Sequence, residues 1–213
     1  MEKQATKTNK IFLFVIAISG WFALVLQFYL IILNRVVSVP ETIIRYFSFF
    51  TILTNIIVVL YATFILLKPY SRLGKYFSRS NVVTAITVYI VVVGIIYNII
   101  LRNLWKPQGW DRVADELLHL VIPVLFLLYW LIFMPKSELK WKNTFPWLIY
   151  PLVYFVWVLI FGALSGFYPY PFINVKELGY KMALLNSGIL TVGFLLLSLL
   201  FVAIDRLMKP QTK

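Results

Sequence analysis

The sequence predicts an all-α integral membrane protein in which six transmembrane helices form a single membrane domain over residues 1–213. Three observations predict this class. First, 62% of the residues are hydrophobic and only 13% are charged, whereas soluble domains are nearer half apolar and a quarter charged. Second, the apolar residues form long blocks rather than the spaced stripe of an amphipathic helix. Third, the blocks are about as long as a helix must be to cross a bilayer.

Six such blocks follow one another along the chain. They are Ile11–Leu33, Ile43–Leu67, Val82–Leu101, Leu117–Phe133, Phe145–Gly166 and Met182–Met208. A charged residue or a proline lies at each end of every block. In chain order these pairs are Lys10 and Arg35, Glu41 and Lys68, Arg79 and Arg102, Glu116 and Lys136, Lys142 and Pro169, and Lys181 and Lys209. Because six is even, both termini are expected on the same side of the membrane.

Lysine and arginine are distributed unevenly between the two faces that this topology defines. The termini together with the second and fourth connections hold 13 of the 20 basic residues. Cytoplasmic connections are enriched in these residues, so both termini are predicted to be cytoplasmic. The same enrichment accounts for the net charge of +12. Nucleic-acid binding is not expected, because no basic helix lies outside the apolar blocks.

Five tryptophans lie near the ends of the blocks. Tryptophan rings favour the headgroup level of a bilayer. We therefore expect Trp105 and Trp110 to anchor the outer interface, and Trp130, Trp141 and Trp147 to anchor the inner one.

The chain has no cysteine and a single histidine. The absence of cysteine excludes a disulfide framework and thiol chemistry. Only scattered carboxylates remain beside the one imidazole, so neither a metal site nor a cofactor is expected.

Polar side chains inside the blocks are costly unless they face protein or water, which makes them the first candidates for a functional site. In the predicted topology they gather in the outer half of the membrane. The set is Ser48, Thr51, Thr54 and Asn55 in the second block, Asn98 in the third, His119 in the fourth and Asn186 in the sixth, with Arg102 and Asp115 at the block ends. We expect these residues to line a pocket that opens toward the outer interface.

Within this set, a hydroxyl and an imidazole suggest ester hydrolysis. The hydroxyl of Thr51 can attack an acyl carbon if His119 removes its proton, and Asp115 can orient the imidazole ring. The developing oxyanion could accept a hydrogen bond from the amide of Asn55, Asn98 or Asn186. The substrate would enter from the lipid or its interface. Membrane lipids and a lipid-like acyl ester are therefore the expected partners.

Each of these residues also has a structural explanation. Ser and Thr in membrane helices usually bond to the carbonyl three or four residues back, and Asn commonly joins two helices. His119 can donate to a backbone carbonyl. Asp115 and Glu116 can form an acidic first turn that the helix dipole favours.

The segment Gly166-Phe167-Tyr168-Pro169-Tyr170-Pro171-Phe172 follows the fifth block. Its two X-Pro steps favour an extended, semi-rigid loop at the outer interface. Tyr168 and Tyr170 indicate either an aromatic belt at that interface or a lid that excludes water from the pocket.

Three short motifs resemble the androgen-induced membrane protein family. They are Phe49-Phe50-Thr51-Ile52 in the second block, His119 followed by Pro123 and Phe126 in the fourth, and Tyr168-Pro169-Tyr170-Pro171-Phe172 after the fifth. The order and spacing of the blocks look still more like the family's bacterial six-pass members, which implies a bacterial cytoplasmic membrane. The resemblance also implies a Thr–His hydrolase of fatty acid esters of hydroxy fatty acids, with Thr51 and His119 at the matching positions.

Two departures from the family pattern leave alternatives open. Three residues separate His119 from Pro123, where the eukaryotic members have four, and the polar pair Thr54-Asn55 replaces a less polar one. Either Thr51 or Thr54 is therefore the nucleophile, and the fold transfers more safely than the activity. The oligomeric state stays open.

The alternative function is a non-catalytic lipid- or small-molecule-binding protein, or a transporter, that uses the same pocket. A structural partner of another membrane protein is a third possibility. In the inner half the sequence offers Thr63, Thr84 and Thr87 but no charge. This favours a blind pocket over a conduit.

Overall fold

A computed structural model describes residues 7–104 and 106–208. In these ranges every element of secondary structure is a helix, and six helices are long and apolar enough to cross a membrane. The predicted all-α architecture with six spans is therefore confirmed. In chain order the helices are α1 (Lys7–Leu33), α2 (Val39–Phe47), α3 (Phe50–Leu67), α4 (Arg72–Phe77), α5 (Ser80–Leu101), α6 (Gly109–Phe133), α7 (Trp141–Ser165) and α8 (Val175–Leu207). The predicted anchor Trp105 and the terminal lysines Lys3, Lys209 and Lys213 lie outside the described residues.

The second predicted span is divided into the two helices α2 and α3. Between them, Phe49 adopts an extended conformation with φ −83° and ψ 126°. The interruption leaves backbone groups without helical partners, and tyrosines from elsewhere bind them. The hydroxyl of Tyr154, for example, donates to the Ser48 carbonyl at 2.8 Å. The break could not be predicted from the apolar composition of Ile43–Leu67, because the hydrogen bonds that stabilise it come from residues outside this segment.

The ends of two other spans also differ from the prediction. Helix α6 starts at Gly109, well before Leu117, so Asp115 lies inside the helix rather than ahead of it. Helix α8 starts at Val175 and is interrupted at Gly179, whose φ of 71° lies in the left-handed region that favours glycine. Both helices begin with turns that contain charged residues, which hydropathy assigns to the connections.

Helices α1, α3, α5 and α6 pack together at the centre of the bundle, and α7 and α8 lie at its side. Helices α1 and α3 approach closely at Gly20, where a Cβ atom would overlap the Cγ1 atom of Val59. The core between the central helices includes the fully buried Ile16, Val58, Val83 and Ile122. Apolar side chains of α7 such as Leu152, Val156 and Ile160 are exposed on the outside of the bundle, where a bilayer would cover them.

Trp130 is a core residue rather than the predicted interfacial anchor. Its ring is 1% exposed, and its Nε1 donates to the Thr84 hydroxyl at 2.8 Å. Trp147 is also buried, and its Nε1 donates to Asn81 Oδ1 at 3.0 Å. Both indole N–H groups find partners inside the protein, so neither ring needs the interface. Trp110 and Trp141 are exposed, as an interfacial position requires.

Candidate functional site

Two adjoining cavities lie at one end of the bundle, where α5 ends and α3, α6 and α8 begin. The apolar cleft, of about 80 Å³, lies between α5, α7 and α8. A second cavity, of about 380 Å³, lies between α1, α6 and the loop 166–174; we call it the polar cavity because Gln27, Asp111 and Asp115 line it among apolar residues. The residues that line both cavities are Thr51, Tyr97, Leu101, His119 and Tyr170. Thr51 and His119, which the sequence predicts to act together, therefore line the same two cavities.

His119 is held between a carboxylate and an aromatic ring. Its Nδ1 lies 3.0 Å from the Asp115 carbonyl oxygen and 3.1 Å from the Asp115 carboxylate oxygen Oδ1. The imidazole stacks on the ring of Tyr97, with centroids 4.0 Å apart and 14° between the planes. The Tyr97 hydroxyl donates to the other carboxylate oxygen of Asp115. Because Nδ1 is engaged by Asp115, Nε2 is the nitrogen available to the cavities.

The helices that carry this pair both depart from α-helical geometry at the site. Tyr97–Leu101 in α5 and Leu117–Val121 in α6 are π-helical turns, and they contact each other. Single π-helical turns inside α-helices are frequent at functional sites. Here they bring Tyr97 and His119 face to face.

One backbone donor of α6 is missing next to His119. Pro123 has no N–H, so it cannot bond to the carbonyl of Leu118 or of His119. The Nδ2 of Asn55 in α3 donates to the Leu118 carbonyl at 3.3 Å. The Nδ2 of Asn98 in α5 donates to the His119 carbonyl at 3.2 Å. These bonds fix the backbone of His119 between its two neighbouring helices.

The third predicted amide, Asn186, donates to the Phe172 carbonyl at 2.8 Å and ties α8 to the loop 166–174. Neither Asn55, Asn98 nor Asn186 is among the residues that line the two cavities. All three amides therefore join parts of the chain, which is their structural explanation. The expectation that one of them faces an oxyanion is not supported by this geometry.

Thr51 lies in the first turn of α3 and is 7% exposed. Its hydroxyl is 3.4 Å from the hydroxyl of Tyr170, and its N–H donates to the same oxygen at 3.3 Å. In the described part of the chain no hydrogen bond joins Thr51 to His119. Catalytic hydrogen bonds are often long in empty sites and shorten when substrate binds.

The other hydroxyls predicted for the site do not reach the cavities. Thr54 is fully buried and its Oγ1 lies 3.1 Å from the hydroxyl of Tyr150. Ser48, which follows the last residue of α2, donates to the Ile44 carbonyl of that helix at 2.8 Å. Between the two candidate nucleophiles, the geometry favours Thr51.

Arg102 lies behind the site rather than in it. Its Nη2 is 2.6 Å from Glu116 Oε2, and its guanidinium lies 5.6 Å from the ring centroid of Tyr97. Glu116 is thereby neutralised, which leaves Asp115 as the carboxylate beside His119. Tyr97 does not stand out in the sequence, because tyrosine counts among the apolar residues of a block. Gln27 of α1, which lines the polar cavity, does not stand out either.

Residues of the loop 166–174 line both cavities. Tyr170 lines the two of them, its ring stacks on Phe172 at 5.2 Å between centroids, and it packs edge-on against Phe49 at 6.0 Å. Tyr168 instead lies against α7, where a Cβ atom on Gly162 would overlap its ring. Tyr170 therefore occupies the position expected of a lid, and Tyr168 anchors the loop.

Within residues 7–104 and 106–208, no three His, Cys, Asp or Glu side chains are grouped so that they could hold a metal ion. Comparison of the chain with protein-family models, curated proteins and solved structures finds no match. The function is accordingly inferred from residues and their contacts.

Proposed function

We propose that this protein is an intramembrane hydrolase of lipid-like acyl esters, with Thr51 as nucleophile and His119 as base. One observation carries the proposal: Thr51 and an Asp115-bound His119 line the same pair of cavities inside a six-span bundle. The motifs that resemble the androgen-induced membrane protein family support the same two residues and suggest fatty acid esters of hydroxy fatty acids as the substrate class.

The proposed chemistry divides hydrolysis into two acyl transfers. Asp115 accepts a hydrogen bond from the Nδ1–H of His119, so Nε2 is free to take the proton of Thr51 as its Oγ1 attacks the acyl carbon. The carbon–oxygen bond to the alcohol breaks, and His119 returns the proton to the departing oxygen. Water then attacks the threonine ester with the same base, which releases the acid and restores the Thr51 hydroxyl.

The two cavities suit the two ends of such a substrate. The apolar cleft is lined by Pro151, Phe155 and Leu190, whose apolar surfaces suit an acyl chain. The polar cavity, which Gln27, Asp111 and Asp115 line, suits the alcohol part and the attacking water. In the predicted orientation, with both termini cytoplasmic in a bacterial cytoplasmic membrane, the site lies near the outer face.

A second candidate function is non-catalytic binding of the same kind of lipid. It is favoured by one observation, the contact of the Thr51 hydroxyl with Tyr170 rather than with His119. A transporter is less well supported, because large fully buried side chains fill the other half of the bundle: Trp130, Tyr61, Tyr129 and Phe126.

Hydrolysis of a medium-chain p-nitrophenyl ester by purified protein in detergent tests the proposal. The wild type is expected to hydrolyse the ester, and Thr51→Val and His119→Ala are expected to lower kcat by about 10⁴-fold or more. Thr54→Val is the matched control, since it removes a hydroxyl one turn away that does not face the cavities. Equal activity of Thr51→Val and the wild type would show that Thr51 is not the nucleophile.

A further inference from the structure

Hydrolysis through Thr51 requires hydrogen-bond donors for the negative charge that develops on the acyl oxygen. Such donors usually contribute the largest single part of the rate enhancement of acyl transfer. The amides of Asn55, Asn98 and Asn186 donate to backbone carbonyls and are not available. The donors must therefore come from other groups beside Thr51.

One donor is the backbone N–H of Thr51 itself. The first N–H groups of a helix have no partner within it, and they form the positive end of the helix dipole. The N–H of Thr51 belongs to this first turn of α3 and points to the hydroxyl oxygen of Tyr170, 3.3 Å away. The same phenol oxygen lies 3.4 Å from Thr51 Oγ1. An N–H and an O–H thus converge beside the nucleophile.

The position of the Tyr170 hydroxyl is fixed by the chain around it. Pro169 and Pro171 flank Tyr170 and restrict the backbone of the loop. Stacking on Phe172 and the edge-on contact with Phe49 hold the ring. Because Tyr170 lines both cavities, its hydroxyl reaches the point where an ester would pass from the apolar cleft into the polar cavity.

The phenol of Tyr170 is also in the right protonation state to donate. Burial raises the pKa of Tyr170, and hydrogen bonds from Thr51, from the Phe50 backbone and from Tyr154 partly oppose this rise. The hydroxyl therefore keeps its proton at neutral pH and acts as a neutral donor.

We infer that Tyr170 is a catalytic residue that, together with the backbone N–H of Thr51, binds the oxyanion of the tetrahedral intermediate. This role rests on the proposed ester hydrolysis. When Thr51 Oγ1 adds to the acyl carbon, the carbonyl oxygen gains the negative charge and replaces the Tyr170 oxygen as acceptor of the Thr51 N–H. Both donors keep their protons, and the charge returns to the C=O bond when the bond to the alcohol breaks.

The substitution Tyr170→Phe tests this role, because it keeps the aromatic ring that lines the two cavities and removes only the hydroxyl. The substrate is the same p-nitrophenyl ester, and the expected result is a fall in kcat of about 10²- to 10³-fold with little change in KM. Tyr168→Phe is the matched control from the same loop, because Tyr168 does not line the cavities, and it is expected to keep the wild-type kcat.

A second variant separates hydrogen bonding from packing. Replacing Tyr170 with a trifluorotyrosine keeps the hydroxyl and lowers the pKa of the phenol, so kcat is expected to fall as the pH rises above that lowered pKa. A purely structural tyrosine would give the pH profile of the wild type.

The outcomes distinguish the two proposals. If the wild type hydrolyses the ester and Thr51→Val does not, but Tyr170→Phe keeps the wild-type kcat or only raises KM, the role of Tyr170 is overturned and the hydrolase stands. If the wild type does not hydrolyse the ester, or if Thr51→Val hydrolyses it as fast as the wild type, both proposals are wrong.

Discussion

Asp115 is the residue on which the reactivity of His119 depends. Its carbonyl oxygen at 3.0 Å and its carboxylate at 3.1 Å both lie at hydrogen-bond distance from Nδ1, which leaves Nε2 as the proton acceptor. Asp115→Asn removes the negative charge that orients the ring and stabilises the imidazolium formed when His119 takes the proton. We expect kcat for ester hydrolysis to fall by about 10²-fold or more, with KM little changed.

The control for this change is Glu116→Gln. It removes the neighbouring acid, which pairs with Arg102 and not with His119, and it is expected to retain most of the wild-type kcat. Equal rates for Asp115→Asn and the wild type would contradict the orienting role.

At the residue scale, the sequence indicates that some polar groups are neighbours but does not show which atoms bond. The spacing of Asp115 and His119 places them on one helix face, and they are in contact. The missing N–H of Pro123 can also be read from the sequence. What cannot be read is that Asn55 and Asn98 would supply the replacement donors, because that depends on how α3 and α5 pack against α6.

Gly20 limits how closely α1 and α3 can pack. A methyl group there would overlap Val59 Cγ1, and valine has few alternative rotamers in a helix. Gly20→Ala is expected to lower the free energy of unfolding by about 1–3 kcal/mol, which would appear as a lower Tm in detergent.

Gly188 provides the matched substitution. It lies inside α8, where a Cβ atom would meet no neighbouring part of the protein, so Gly188→Ala is expected to leave Tm unchanged or to raise it slightly. A Tm for Gly20→Ala equal to that of Gly188→Ala would show that the α1–α3 contact tolerates a side chain.

At the element scale, the apolar blocks predict where the spans lie, but the residues at which each helix begins and ends depend on hydrogen bonds. The break before α3 is stabilised by Tyr154 and Tyr170, which come from distant parts of the chain and bind backbone groups of Ser48 and Thr51 that have no helical partner. This break places Thr51 at a helix start, where its N–H is unpaired within the helix. A single helix over Ile43–Leu67 would have bonded that N–H to a carbonyl of the preceding turn.

Lys136, in the connection between α6 and α7, makes the stability of the whole bundle depend on pH. Its Nζ donates to the carbonyls of Trp130 and Met134 at 2.6 and 3.0 Å. Burial lowers the pKa of Lys136 from its ordinary value of 10.5 to about 8, against the opposing effect of Asp205. The folded protein therefore binds this proton more weakly than the unfolded chain, in which the lysine is fully hydrated.

Between these two pKa values the unfolded chain holds more protons, so this group makes the free energy of unfolding rise with pH from about 8. Thermal unfolding between about pH 7.5 and 9.5 should show that rise in the wild type and less of it in Lys136→Met. The exposed Lys140→Met controls for the loss of a positive charge. A pH dependence that is the same in all three proteins would contradict the assignment to Lys136.

The orientation of the whole molecule can be measured because the chain contains no cysteine. Single cysteines at Ser78, after α4, and at Gln108, before α6, lie in connections on opposite faces. With both termini cytoplasmic, a membrane-impermeant maleimide should label the cysteine at 108 in intact cells. It should label the cysteine at 78 only after the cells are permeabilised. The reverse pattern would show that the charge distribution predicts the wrong orientation.

At the scale of the whole molecule, the sequence predicted the class and the number of spans because composition and block length report directly on burial in lipid. It did not predict that α1 and α7 would also bound the cavities. Their contribution comes from apolar residues and Gln27, which carry no signal until the helices are packed.

The assignment of Thr51 as the nucleophile can be measured with a fluorophosphonate that reacts with activated hydroxyls, followed by mass spectrometry of the labelled peptide. The wild type and Thr54→Val are expected to carry the phosphonyl group on Thr51, and Thr51→Val to carry none. An adduct on another residue of the wild type, or full labelling of Thr51→Val, would show that Thr51 is not the nucleophile.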